Sequence, residues 1–194
     1  MSAVSHALQL QAQFGPFIGP PVEFRGETTV AVADAQRMVE VCSFLKQSLG
    51  YDYLVDISSV DLCGEAPRFL IVYELAAYRH PHRLRLHARV SEARPELPSV
   101  TAVWRGAEWH EREIYDMMGV RFAGHPDLRR ILMWDEYPYF PLRKEFPLAG
   151  KSTDSAPIAL TRPAPEEGGP FVTMPGGADT TVREPRARIP GENA

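Results

Sequence analysis

Only two cysteines, Cys42 and Cys63, occur among the 194 residues. A tetrathiolate zinc site and a cubane iron–sulfur cluster each need four ligands, so this chain can build neither alone. One possible bridge is not a disulfide framework, and the two thiols are read as buried groups in a reducing compartment. No apolar run approaches the roughly 20 residues that span a bilayer. The longest, 69–73, is the length of a strand. The first fifteen residues lack both the basic start and apolar run of a secretory signal and the Arg/Ser bias of a transit peptide. A cytoplasmic location is expected, with docking on a membrane-bound partner left open.

A basic excess is missing as well. Lys and Arg number 21 against 25 Asp and Glu, a net charge of −4, which disfavours a binder that relies on neutralising phosphates. No phosphate-binding loop, dinucleotide fingerprint or nucleophile elbow is present. His110, Glu111 and Glu113 stand together, but a zincin helix needs a second His where Ile114 stands. No helix offers Glu-x-x-His twice, as a di-iron site would require. No intrinsic metal is expected.

What is present suits a folded α+β domain. Hydrophobic residues make up 44% and charged residues 24%, both ordinary for a globular protein. The composition changes near Gly150. Residues 150–194 are rich in Pro and Gly and hold one aromatic, Phe171, too little apolar surface to offset their ordering entropy. The expected organisation is a domain over 1–149 and an extended arm over 150–194.

Within the domain, 28–32 reads as a strand. Asp34 is a plausible N-cap, followed by Met38, Val41, Cys42, Leu45 and Leu49 at helical spacing, with Gly50 as the stop. Tyr51, Tyr53, Val55 and Ile57 alternate with Asp52 and Asp56, predicting a half-buried strand. Residues 69–73, apolar on both faces, suit a central strand. Leu84, Leu86, Ala88 and Val90 alternate with Arg83, Arg85, His87 and Arg89, predicting a strand with one core face and one basic face. Sheet-type RNA readers interleave aromatics on such a face and none occur here, so a solvated or partner-facing strip is expected. His80-Pro81-His82 reads as a turn. One helix followed by consecutive strands points to a compact two-layer domain with a mixed or antiparallel sheet.

The richest stretch is 104–148. Residues 108–118 predict a helix closed by Gly119, with an apolar stripe of His110, Ile114, Met117 and Met118. His110 is taken as a core histidine. Trp109, Arg112, Glu113 and Asp116 share the other side, where Glu108 is placed to reach Arg112. Glu113 and Asp116 are a like-charge pair, and Arg129, Arg130, Arg143 and Lys144 are the cations available downstream. Asp127, in the Gly124-His125-Pro126-Asp127 turn, is a candidate cap.

Glu111-Arg112-Glu113-Ile114-Tyr115-Asp116-Met117-Met118-Gly119-Val120, then Phe122-Ala123-Gly124-His125-Pro126-Asp127-Leu128-Arg129-Arg130-Ile131-Leu132, resembles the signature of one family. So does Pro141-Leu142-Arg143-Lys144-Glu145-Phe146-Pro147-Leu148. The family is the C subunit (30 kDa type) of NADH-quinone oxidoreductase, respiratory complex I, and the resemblance covers 51–148. Met118 stands where the family usually carries Phe.

The resemblance implies a compact α+β domain followed by an extended C-terminal arm. It implies a non-catalytic subunit of the peripheral arm, on the cytoplasmic face of the bacterial inner membrane. The D subunit, which holds the quinone site, and the B subunit would be its main partners, with no nucleic acid. FMN, iron–sulfur clusters, NADH and quinone would be bound by other subunits, leaving this chain cofactor-free as a scaffold. Glu111, Arg112, Glu113, Asp116, Gly124, His125, Pro126, Arg129, Arg143 and Lys144 would be motif and interface residues, none catalytic. A homologous subunit of a complex I-related membrane hydrogenase is the alternative, and a free-standing RNA-binding module a more distant one.

Overall fold

Asp34 begins the helical part of the fold, its Oδ1 accepting the Gln36 N–H at 3.0 Å. A short 3-10 turn, Ala35–Arg37, leads into a helix over Met38–Leu49. Met38, Val41, Cys42 and Leu45 are buried, and Gly50 ends the helix at φ +75, a conformation that favours glycine. In this computed structural model, residues 2–147 are described. The expected arm, 150–194, lies outside them.

The elements in order are α1 (Ala3–Phe14), β1 (Val22–Phe24), β2 (Glu27–Val32), α2 (Met38–Leu49), β3 (Tyr53–Asp61), β4 (Phe69–Ala76), β5 (Arg83–Val90), β6 (Glu96–Pro98), α3 (Ala107–Met118) and β7 (Arg121–Ala123). Five strands form one sheet in the order β1-β2-β5-β4-β3, and β6 pairs with β7. The β2–β5 pair is parallel and the other pairs of the large sheet are antiparallel. The sheet is therefore mixed, as expected of the α+β class.

One core joins the sheet to the helices. Phe69, Ile71, Tyr73 and Leu75 of β4 and Leu84, Leu86 and Ala88 of β5 pack in it with Leu10 of α1, Met38, Val41 and Leu45 of α2, and Ile114, Met117 and Met118 of α3. Summed apolar burial of this kind is the main favourable contribution to folding.

Three features depart from the sequence reading. The alternation read from Tyr51 does not run through β3: Leu54 and Ile57 are buried while Tyr53 and Val55 are exposed. The register shifts between Leu54 and Asp56, and a bulge reverses which side chains face inward. Cys42 is buried, but Cys63 is exposed. The N-terminal helix has no counterpart among the expected elements, because only His6, Ala7 and Leu10 of α1 are buried, too thin a stripe to register as periodicity.

The basic face of β5 does exist, and two of its arginines are paired with acidic neighbours. Arg85 pairs with Glu74 of β4 and, at 2.7 Å, with Glu27 of β2. Arg89 meets Glu65 at 3.0 Å.

Candidate functional site

Helix α3 buries three ionisable side chains, Glu111, Arg112 and Asp116. Burying a charge is costly unless hydrogen bonds satisfy it, so the partners of each explain why the helix is stable. Asp116 Oδ2 accepts the backbone N–H groups of Ile131, Leu132 and Met133 at 3.0, 2.7 and 2.8 Å. Its Oδ1 accepts from Arg130 Nη1 at 2.5 Å. Burial pushes this carboxyl up, but the Met133 N–H, the Arg130 guanidinium and the other two N–H groups outweigh it and hold the group below its ordinary value.

Arg112 works on the preceding residues of the same segment. Its Nε and Nη2 donate to the carbonyls of Arg129 and Arg130 at 3.2 and 3.1 Å. The guanidinium also lies over the Trp109 ring, 5.2 Å from its centre. The expected Glu108–Arg112 pair is not formed, because the buried guanidinium is spent on backbone carbonyls. Arg130 completes the clamp, donating also to the carbonyls of Asp116, Tyr137 and Tyr139.

On another side of α3, Glu111 is fully buried. It accepts from Ser99 Oγ at 2.6 Å and from the Val100 N–H at 2.7 Å. Burial raises its pKa to about 7, against the opposing pull of those two bonds. His125 lies alongside, its Nε2 4.0 Å from Glu111 Oε2. Nδ1 of His125 accepts the Asp127 N–H at 3.0 Å, so Nε2 carries the hydrogen and donates to the Glu108 carbonyl at 3.1 Å. This histidine closes the Gly124-His125-Pro126-Asp127 turn onto α3.

The later motif docks on the other end of the helix. Leu142 N–H donates to the Met117 carbonyl at 3.2 Å, and Arg143 Nε to the Met118 carbonyl at 2.7 Å. The Arg143 guanidinium sits 4.5 Å from the Phe140 ring centre and 5.1 Å from that of Phe69. Gly119, at φ +75, makes room: a Cβ there would stand 2.6 Å from Phe140 Cζ and 2.7 Å from Arg143 Nη2. Lys144 is anchored through its backbone, its N–H reaching Asp61 Oδ2 at 2.9 Å. Asp61 in turn takes a two-point contact from Arg68, at 2.8 and 2.7 Å. That guanidinium, assisted by the Lys144 N–H against burial, lowers the Asp61 carboxyl to about 2.

Glu111, Arg112, Asp116, His125 and Arg143 thus converge on α3 and its two ends. Glu113 does not join them: it is exposed and makes no ion pair among the described residues. Arg129 is also exposed and pairs with Asp127 at 2.8 Å, so Asp127 closes a turn rather than capping a helix. Gly124 turns the chain at φ +81, and Pro126 is exposed beside it. His110 is not a core residue. It is half-buried, with Nδ1 3.0 Å from Asp56 Oδ1, because the buried face of α3 is turned toward Glu111 and Ile114 instead. Ser99, Asp61 and Arg68 belong to the site without standing out in the sequence. Opposite charges closing the β3–β4 connection were the available signal for the last two.

Among the described residues no group of three or more His, Cys, Asp or Glu is placed to hold a metal ion, and no helix is long and apolar enough to cross a membrane. The chemistry of this arrangement is positional: buried charges satisfy the backbone of two irregular segments. Large apolar side chains remain exposed on and around it, Trp109, Leu132 and Leu142.

The chain matches the family described as "Respiratory-chain NADH dehydrogenase, 30 Kd subunit" over residues 31–152. It is 47% identical over 144 residues to the C subunit of NADH-quinone oxidoreductase from Geobacter sulfurreducens, covering 74% of this chain and 88% of that protein. Against the C 2 subunit of the Rhizobium etli NADH-quinone oxidoreductase it is 48% identical over 134 residues, covering 68% and 71%. Among solved structures, a trypsin-resistant fragment of Nqo5 aligns with a TM-score of 0.55 at 31% identity, covering 65% of this chain and 99% of the fragment. A chain of an archaeal membrane-bound sulfane sulfur reductase shares the fold, with a TM-score of 0.64 at 21% identity over 74% of this chain and 85% of that one.

Proposed function

The chain belongs to the family of the respiratory-chain NADH dehydrogenase 30 Kd subunit, and from that premise we propose that it is a cofactor-free, non-catalytic scaffold of an NADH-quinone oxidoreductase. In this reading it holds the quinone-site D subunit and the iron–sulfur B subunit in fixed relation, as a peripheral component on the cytoplasmic face of the membrane. FMN, iron–sulfur clusters, NADH and quinone are held by the other subunits.

The observation that carries the reading is how α3 uses its charges. Arg112, Asp116 and Arg143 all bond to backbone groups of the 129–133 segment or of the helix end itself. Irregular chain is thereby held in one conformation, with Trp109, Leu132 and Leu142 exposed. Ordered surfaces that expose large apolar groups favour protein–protein contact. Glu113 and Arg129, exposed beside them, supply a polar rim.

Purification of the tagged chain from its host under mild detergent tests the proposal. The expected result is a complex that oxidises NADH with quinone as acceptor and contains the D and B subunits in equal amounts. Recovery within a complex that consumes hydrogen instead favours the hydrogenase-related alternative. Recovery without any redox partner overturns the scaffold reading.

A further inference from the structure

Far from α3 in the sequence, three of the six histidines meet. His6 lies on α1, and His80 and His82 on the turn between β4 and β5. The His6 and His82 ring centres are 5.6 Å apart, edge to face, and those of His80 and His82 are 6.0 Å apart and stacked. His6 is only 3% exposed, with Nδ1 3.3 Å from the Tyr51 hydroxyl. The turn that brings the other two is itself fixed. Ala77 N–H donates to the His82 carbonyl at 3.1 Å and Tyr78 N–H to Asp52 Oδ1 at 3.0 Å.

We propose that His6, packed against His82 and through it His80, is a pH-sensitive latch that holds α1 on the domain when neutral and releases it on taking up a proton. A proton on buried His6 places a charge in a poorly solvated site, packed against two other imidazoles.

The surroundings offer that charge no compensation. Tyr51 is a neutral hydroxyl that burial keeps protonated, its pKa raised to about 12. Asp52 accepts the Tyr78 N–H and is not among the groups that act on His6, and the flanking Arg79 and Arg83 are exposed and positive. Burial first, then His82 and His80, hold His6 below its ordinary value. The elements under α1 contribute buried side chains without charge, among them Met38 and Val41 of α2, Val30 of β2 and Leu84 of β5.

Helix α1 is the element such a device can move. Its buried residues besides His6 are Ala7 and Leu10, with Phe14 edge-on to Phe44 at 5.7 Å. So small an apolar contact leaves its docking sensitive to one unfavourable charge, and low-stability elements are where local opening occurs.

Amide hydrogen exchange on the full chain at pH 7.5 and 5.5, corrected for intrinsic exchange, tests the latch. If only undocked His6 binds a proton, with its ordinary value of 6.5, the docking equilibrium weakens about tenfold between these pH values. Protection of residues 3–14 should fall by that factor while protection in α2 holds. His6→Gln should remove the response, and His82→Gln should reduce it. Equal protection of α1 at both pH values, or a full response in His6→Gln, overturns the proposal. Where His6→Gln leaves α1 undocked at pH 7.5, the NMR titration of His6 in the wild type decides. A midpoint at or above 6.5 overturns the latch, and a lower one supports it.

Discussion

Arg112 and Asp116 sit one turn apart on α3 and hold successive parts of one segment: Arg112 donates to the carbonyls of Arg129 and Arg130, and Asp116 accepts the N–H groups of Ile131, Leu132 and Met133. A cation takes the acceptors and an anion takes the donors. Two buried charges thereby satisfy five backbone groups of a stretch that has no helix or strand of its own.

Arg112→Ala should destabilise the chain by about 1–3 kcal/mol, because two carbonyls are left without their donor. Arg112→Lys should recover little of this, since an ammonium cannot reproduce the planar fork. Glu108→Ala should change stability by less than about 0.5 kcal/mol, as no Glu108–Arg112 pair exists to lose. Urea midpoints of the three variants check this ranking. A Glu108→Ala loss equal to that of Arg112→Ala would contradict it.

Glu111 makes stability depend on pH in a defined direction. Its folded value of about 7 lies above the ordinary 4.5, so the folded state binds the proton more tightly than the unfolded one. The stabilisation this gives is complete below 4.5 and is lost as pH rises through 7. Glu111→Gln, which cannot ionise, escapes that loss. Its stability relative to wild type should rise by up to about 3 kcal/mol between pH 4.5 and 8. Denaturation midpoints measured across that range provide the check, and parallel profiles for the two proteins would refute it.

Gly119 and Gly50 separate two reasons for glycine at a helix end. Both have φ +75, but a Cβ at Gly50 meets open space, whereas one at Gly119 meets Phe140 and Arg143 below 3.0 Å. Gly50→Ala should therefore cost only the left-handed backbone strain, about 1–2 kcal/mol. Gly119→Ala adds the overpacking cost, about 1–3 kcal/mol more, and should loosen the 140–144 segment. Thermal unfolding compares the totals, and proteolysis near Arg143 reports the loosening.

Local periodicity is enough to find α2. The spaced apolar residues from Met38 to Leu49 and Gly50 carry its buried face and its stop, while Asp34 caps the short turn that leads into it. The alternation of β5 and the closing Gly119 of α3 are legible for the same reason, and the motif around Glu111, Asp116 and His125 points to the family. The charges of α3 read differently. A helical wheel places charged residues on a solvated face unless something distant satisfies them, and the partners of Glu111, Arg112 and Asp116 come from residues 99–100 and 129–133. Their burial is decided by tertiary hydrogen bonds that no local pattern encodes. The bulge in β3 and the pairing of Arg85 and Arg89 on the β5 basic face with Glu27, Glu74 and Glu65 belong to the same class. Sequence spacing specifies which residues share a face of one element, whereas only the packing of elements on each other determines what that face meets, and therefore whether a charge stays in water or is spent on the backbone.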